Sequence, residues 1–418
     1  METLPGFRDF FPSPVPTAES WSMGQLTYLF SKWRNTARTY GFSEYDGPPL
    51  EPLELYTRKS GQEIVGQLYN FEDKGERSIS LRPEITPTVA RMIAGHARNY
   101  KKPMKWFSIP QLFRYERQQK GRLREHFQFN ADIFGEPGVG GEAEIIALLI
   151  DTLRAFGLTE DDFRIRLSSR QAWQHFFDAR CSGSQDADGF FQIIDKMERA
   201  DRAGSEKKLG EFGVSIEEVE RFIREGEPTE ELREVCLNLE NRGLGGFVEI
   251  DYQVIRGLAY YTGTVFEAFD RKGEFRAIAG GGRYDRLVHQ VTRGSVDLCS
   301  LGFGMGDVVL SELLKARGLM PEFFNSPDVY VAIESEDYRL ETMQLVQNLR
   351  NRGMSVEYPL SKMKPNKQFK RAMELKASFF AQLDSQDPKQ VRVKCLKSRE
   401  EKVVPLLNID RLEDLFVD

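Results

Sequence analysis

Phe113-Arg114-Tyr115-Glu116-Arg117-Gln118-Gln119-Lys120-Gly121-Arg122-Leu123-Arg124 runs directly into Glu125-His126-Phe127-Gln128-Phe129-Asn130-Ala131-Asp132-Ile133-Phe134-Gly135, and this stretch decides the fold. Residues 104–117 and 124–135 alternate apolar and polar side chains, which predicts two long strands. The loop between them, QQKGR, is polar and basic, and Gly121 permits the turn. Alternate residues on a strand share a face, so Arg114 and Glu116 point the same way. An arginine fork suits a pair of phosphate oxygens, and a carboxylate two residues on can accept from the exocyclic amine of a base. The plainer alternative is a solvated strand carrying surface ion pairs.

On the N-terminal side, residues 17–40 read as an amphipathic helix, with Leu26, Leu29, Phe30, Trp33, Ala37 and Tyr40 at spacings of three or four and Gly41 at the stop. Residues 42–56 read as a short strand and a proline-rich turn, and 68–72 and 78–81 as strands. In Leu81-Arg82-Pro83-Glu84-Ile85-Thr86-Pro87, Thr86 is the expected hydroxyl cap and Pro87 the first residue of a helix running to about Gly95. On the C-terminal side, 141–156 is a further helix, and 169–245 turns helical and highly charged, as an insertion would.

Strand-like, glycine-rich sequence resumes at 246–310 with three blocks. Val254 to Glu267 sets Arg256 beside Gly257, then Tyr260 and Tyr261, then Gly263; this is poor strand design and marks a site. Tyrosine hydroxyls can read a small polar ring, though a tyrosine-rich turn in a core is equally open at this point. Ala279-Gly280-Gly281-Gly282-Arg283-Tyr284-Asp285 allows a ligand close to the backbone. Leu301-Gly302-Phe303-Gly304-Met305-Gly306-Asp307 is a small-residue strand leading into a helix. After Phe323-Phe324-Asn325-Ser326-Pro327, a plausible linker, strands at 328–333, 354–359, 377–383 and 390–396 alternate with helices at 336–352 and 366–376, which implies a small α/β domain with a partly parallel sheet.

The 418 residues are enough for two or three domains, and 40% hydrophobic with 29% charged residues is ordinary globular composition. The net charge is -6, yet twelve lysines and arginines stand against five acids between 361 and 402. Such a local patch suits RNA phosphates. The four cysteines form no C-x-x-C pair and the four histidines show no metal-ligand spacing, so neither a disulfide frame nor a zinc site is expected, and a reducing cytoplasm fits. METLPGFRDFFPSPVP lacks the basic start and apolar run of a signal peptide, and no stretch of about 18 apolar residues predicts a membrane helix.

Over nearly its whole length the chain resembles the histidyl-tRNA synthetases. LRPEITP, the FRYERQQKGR hairpin with its REHFQFNADIFG return, and AGGGRYD all look like that family. The hairpin alone says class II synthetase; RGLAYYTGTVF resembles the histidine-specific signature. The resemblance implies an α+β fold: a class II antiparallel sheet flanked by helices (1–168 and 246–322), a helical insertion (169–245) and an anticodon-binding α/β domain (326–418). It implies histidine, ATP with Mg2+, and tRNA(His) as substrates, a homodimer, and no membrane.

Residue by residue, Arg114 and Arg256 match the two arginines on the α-phosphate, and Glu116 the residue near adenine, with Arg122, His126 and Phe127 also toward ATP. Glu84, Ile85 and Thr86, with Gln128 and Asp132, match positions that hold the amino acid's ammonium group and backbone. Tyr260 and Tyr261 match the wall facing the imidazole, with Tyr284 nearby. Gln118, Gln119, Lys120 and Arg122 resemble the loop that meets the acceptor end of tRNA. The sequence departs from most relatives at Ala259, where they have aspartate, and near Val309, where class II enzymes place an arginine against the ATP phosphates. His126-Phe127 also stands where many have phenylalanine then histidine. The synthetase-like regulatory subunit of histidine biosynthesis is the alternative reading; it would lack the C-terminal domain and the pocket residues.

Overall fold

The computed structural model describes residues 3–60, 66–115, 121, 123–181, 186–197, 200–256, 260–384, 386–387, 389–406 and 416. They form two compact units: one of residues up to Phe10 with Ser20–Pro321, the other of Phe11–Glu19 with the chain from Glu322 on.

The first unit is built on a sheet of nine strands among the described residues. Its order is Val248–Ile250, Phe163–Ser169, Thr264–Asp270, Ala279–Arg283, Ser300–Gly306, Glu125–Phe134, Met104–Ser108 and Ser43–Glu44, with Gln111–Phe113 also paired to Glu125–Phe134. The pairings are antiparallel except at the two edges, where Val248–Ile250 and Ser43–Glu44 run parallel to their neighbours.

Period-two alternation gives this sheet two unlike faces. Phe129, Ala131, Ile133, Leu301, Phe303, Met305, Phe266 and Ala268 belong to one buried apolar cluster with Leu29, Trp33 and Ala37 of the helix Met23–Thr39 and with the helix Gly140–Arg154. Trp33 stacks on Phe129 with ring centroids 5.7 Å apart. Hydrophobic burial on that side fixes the strand register, because a slip of one residue would turn every side chain over. The opposite face receives Gln128, Asn130, Asp132 and Glu267, with Gly280, Gly282, Gly302 and Gly304 between them.

Differences from the sequence reading have local causes. The strand expected over 104–117 breaks into Met104–Ser108 and Gln111–Phe113, because Pro110 has no N–H to give the ladder. The helix at Thr86–His96 takes Thr86 as its first residue and makes no side-chain cap there, with proline in the first turn. The charged stretch after 169 forms five helices among the described residues, including Ile216–Glu225, which opens on a capping box between Ser215 and Glu218.

Among its described residues the second unit has a five-stranded sheet, ordered Val356–Glu357, Val329–Ala332, Phe379–Leu383, Gln390–Cys395 and Glu401–Pro405, parallel at the first two pairings and antiparallel at the last two. Helices Arg339–Asn351 and Pro365–Glu374 accompany it. Leu345, Val346 and Leu349 pack on Val329, Val331 and Val393.

Candidate active site

The four glycines shave the polar face of the main sheet into a floor on which longer side chains lie. A β-carbon on Gly280 would overlap Arg256 Nη1 and stand 2.7 Å from its Cζ. One on Gly302 would overlap the Asp132 carboxylate, and one on Gly304 would stand 2.7 Å from Gln128 Cδ. One on Gly282 would stand 2.9 Å from Tyr261 Cδ1. These contacts are closer than real β-carbons tolerate, so small residues here make room for chemistry rather than for a turn.

Arg256 reaches its place through a backbone bent to φ 56°, a left-handed conformation that costs a non-glycine residue about 1–3 kcal/mol. Its guanidinium donates to Glu267 Oε1 and lies 5.7 Å from the Tyr261 ring centroid. Burial works against this charge, but the oxygens of Tyr261, Glu267 and Tyr260 outweigh it and hold the group firmly protonated. The sequence reading gave Glu267, the last residue of its block, no role of its own; strand register supplies one, since it stands opposite Gly280.

Tyr260, Tyr261 and Tyr284 pack into one buried cluster, with Tyr260 and Tyr261 rings 4.6 Å apart and Tyr284 edge-on to Tyr260 at 5.8 Å. The Tyr284 hydroxyl donates to Asp132 Oδ1. Asp132 is 3% exposed, and its Oδ2 has no partner among the described residues. Burial raises its carboxyl to about 7, against the opposing pull of the Tyr284 hydrogen bond.

Arg114 and Gln128 fall on the same face as Asp132, because residue 114 pairs with 124 and residue 112 with 126. Arg114 Nε donates to the Pro83 carbonyl at 3.0 Å, next to Glu84, whose charge acts in turn on Tyr260. Thr86 begins the helix that follows. Ile85, expected among the histidine-binding residues, is fully buried. Phe127 turns to the opposite face, packing on Phe10 and Phe30 at 6.0 and 5.2 Å, whereas His126 lies on the glycine side, 3.9 Å from where a Gly306 β-carbon would stand. Glu116, Gln118, Gln119, Lys120 and Arg122 lie outside the described residues.

Arg8 was also missed. It donates to Glu125 at 2.6 Å and to Asp307 at 2.7 Å, and Asp307 accepts the Phe127 N–H at 2.9 Å. This buried knot ties the N-terminal segment to the return strand and to the helix Asp307–Ala316. Arg283 is structural too: it grips both carboxylate oxygens of Glu142 at 2.6 Å, so the AGGGRYD block divides into a core arginine and a site tyrosine.

Residues 22–305 match the family model described as histidyl-tRNA synthetase, and residues 328–414 match the anticodon binding domain. The chain belongs to the histidyl-tRNA synthetase family. A histidine–tRNA ligase of Opitutus terrae is 43% identical, with 97% of this chain and 96% of the relative covered. A chloroplastic and mitochondrial histidine–tRNA ligase of Arabidopsis thaliana is 36% identical over 97% of this chain and 85% of its own length. The fold superposes on a crystal structure of histidyl-tRNA synthetase from Nostoc with a TM-score of 0.76, at 23% identity, covering 97% and 96% of the two chains. For a synthetase of this family the region of Val309 is notable. A β-carbon on Gly121, in the hairpin loop, would stand 3.4 Å from Val309 and 4.0 Å from the Arg276 side chain, so an arginine from another segment lies close by.

Proposed function

We propose that the glycine-floored face is where histidine is activated. As a member of its family the protein is a histidine–tRNA ligase, which uses ATP to form histidyl-adenylate and then charges tRNA. In the first step a carboxylate oxygen of histidine attacks the α-phosphorus, the bond to the β-phosphate breaks, and pyrophosphate leaves. In the second a terminal ribose hydroxyl of tRNA(His) attacks the carbonyl carbon and AMP leaves.

Both steps need alignment and neutralisation of charge on the α-phosphate more than covalent help. Arg256 and Arg114 supply that charge, and His126 lies toward the base. Glu84, Thr86 and Gln128 hold the ammonium end. Asp132 goes with Tyr260, Tyr261 and Tyr284 at the imidazole end, since its carboxylate is buried and accepts from Tyr284, whose ring packs on Tyr260. A pocket lined by such groups rejects an apolar amino acid, whose binding would leave them unpaired. Mg2+ is read as arriving on the ATP phosphates, part of the substrate. The second unit, through its local basic patch at 361–402, takes the anticodon end of the tRNA. We read the protein as cytoplasmic and, as the family resemblance implies, a homodimer. No helix among the described residues is long and apolar enough to cross a membrane.

The observation that carries this reading is the Arg256 guanidinium, held over Gly280 by a left-handed backbone and Glu267. Arg256→Ala should lower histidine-dependent ATP–pyrophosphate exchange by at least about a hundredfold while the far-ultraviolet dichroism is unchanged. Near-normal exchange would remove the arginine from the mechanism.

A further inference from the structure

Tyr45 stands just beyond the short edge strand Ser43–Glu44, held by its N–H to the Phe107 carbonyl at 2.8 Å. That bond sets its ring against Trp106, with centroids 5.7 Å apart, and Trp106 is the strand partner of Asp132. The ring also packs on the cluster that contains Tyr260, Tyr261 and Tyr284. Its hydroxyl is buried and has no partner among the described residues, and the same is true of Asp132 Oδ2. The two are within electrostatic reach: burial first, and then the Asp132 charge, push the Tyr45 phenol well above its ordinary value.

A buried polar group left unpaired costs stability, so two such oxygens within electrostatic reach of each other need a reason. One carries a hydrogen to donate and the other is an acceptor, yet they do not bond each other. Asp132 Oδ1 is already taken by Tyr284. A neutral imidazole is the complement of this pair, with one N–H and one bare nitrogen on a small flat ring. We propose that Tyr45 determines specificity for the imidazole, its hydroxyl and Asp132 Oδ2 taking the two ring nitrogens. The inference rests on the reading of this face as the histidine pocket, and adds to it a residue from the sheet's edge.

Tyr45→Phe removes only the hydroxyl and keeps the ring on Trp106. In the full-length protein it should raise KM for histidine in ATP–pyrophosphate exchange about tenfold, with kcat and the KM for ATP within about twofold of wild type. The ligand-free variant should melt no lower than wild type, because the lost hydroxyl was unpaired, and histidine should stabilise it less. A histidine KM within about twofold of wild type would overturn the proposal. So would a ligand-free variant that melts clearly lower, which would make the hydroxyl a structural group. Wild-type protein without histidine-dependent exchange would instead defeat the underlying reading of the site.

Discussion

At the residue scale the site is a set of side chains held where they are uncomfortable. Arg256 is bent to positive φ, and Asp132 is buried with one oxygen unpaired. The second has a measurable consequence. Burial raises the folded carboxyl to about 7, whereas an unfolded aspartate titrates near its ordinary value of about 3.9. Between those limits the folded protein holds a proton that the unfolded chain has released, so stability falls as pH rises through that window. Asp132→Asn keeps the shape and removes the titration. Without ligand, the variant should therefore melt higher than wild type near pH 8, with the gap closing toward pH 4; parallel melting curves would contradict the burial. The sequence marked Arg256, Tyr260, Tyr261 and Tyr284, and the structure packs them together. It assigned Glu267 and Tyr45 no role of their own, because those roles come from strand register and from an edge strand two residues long. Nor did it show that Phe127 faces away, which only the alternation of Glu125–Phe134 against the aromatic cluster decides.

At the scale of elements, the glycine-rich strand Ala279–Arg283 serves both faces of the sheet. Gly280 and Gly282 open the ligand side. Arg283 anchors the helix Gly140–Arg154 on the other, through a two-pronged bond to Glu142, whose side chain is 4% exposed. Arg283→Ala would strand that carboxylate, and the expected loss is about 3–5 kcal/mol in denaturant unfolding of the first unit. A loss under about 1 kcal/mol would mean that Glu142 finds another partner or water. Helices were legible from their period: apolar residues at three and four predict one over 17–40, and the structure has it at Met23–Thr39, after the short strand Trp21–Ser22. Strand ends were less so. Glu401–Pro405, which begins with two charges, is not among the strands expected from the sequence, and its pairing with Gln390–Cys395 makes it one. The Pro110 break was visible as a residue, but the alternation around it runs on unbroken.

At the scale of the whole molecule, the acidic total charge concealed a division of labour. The first unit holds the candidate adenylation site, and the second carries the basic patch around helix Pro365–Glu374 and strand Gln390–Cys395. Lys370 there is 79% exposed at its side chain, free to meet a phosphate beyond its weak pairing with Glu374. Ending the chain near Ser326 should leave histidine-dependent pyrophosphate exchange within a few-fold of wild type and lower tRNA charging by an order of magnitude or more. Unchanged charging would take the RNA role away from the second unit. The α+β class followed from the family resemblance, with alternation and periodicity marking individual elements, but the strand order could not be read, because it joins segments as far apart as 163–169 and 264–270. The account as a whole stands on the glycine-floored face activating one amino acid. The most direct test is ATP–pyrophosphate exchange measured with the intact protein against each of the twenty amino acids. Exchange driven by histidine, at least about a thousandfold over any other, is the predicted result; silence with histidine, or equal exchange with a second amino acid, would contradict it.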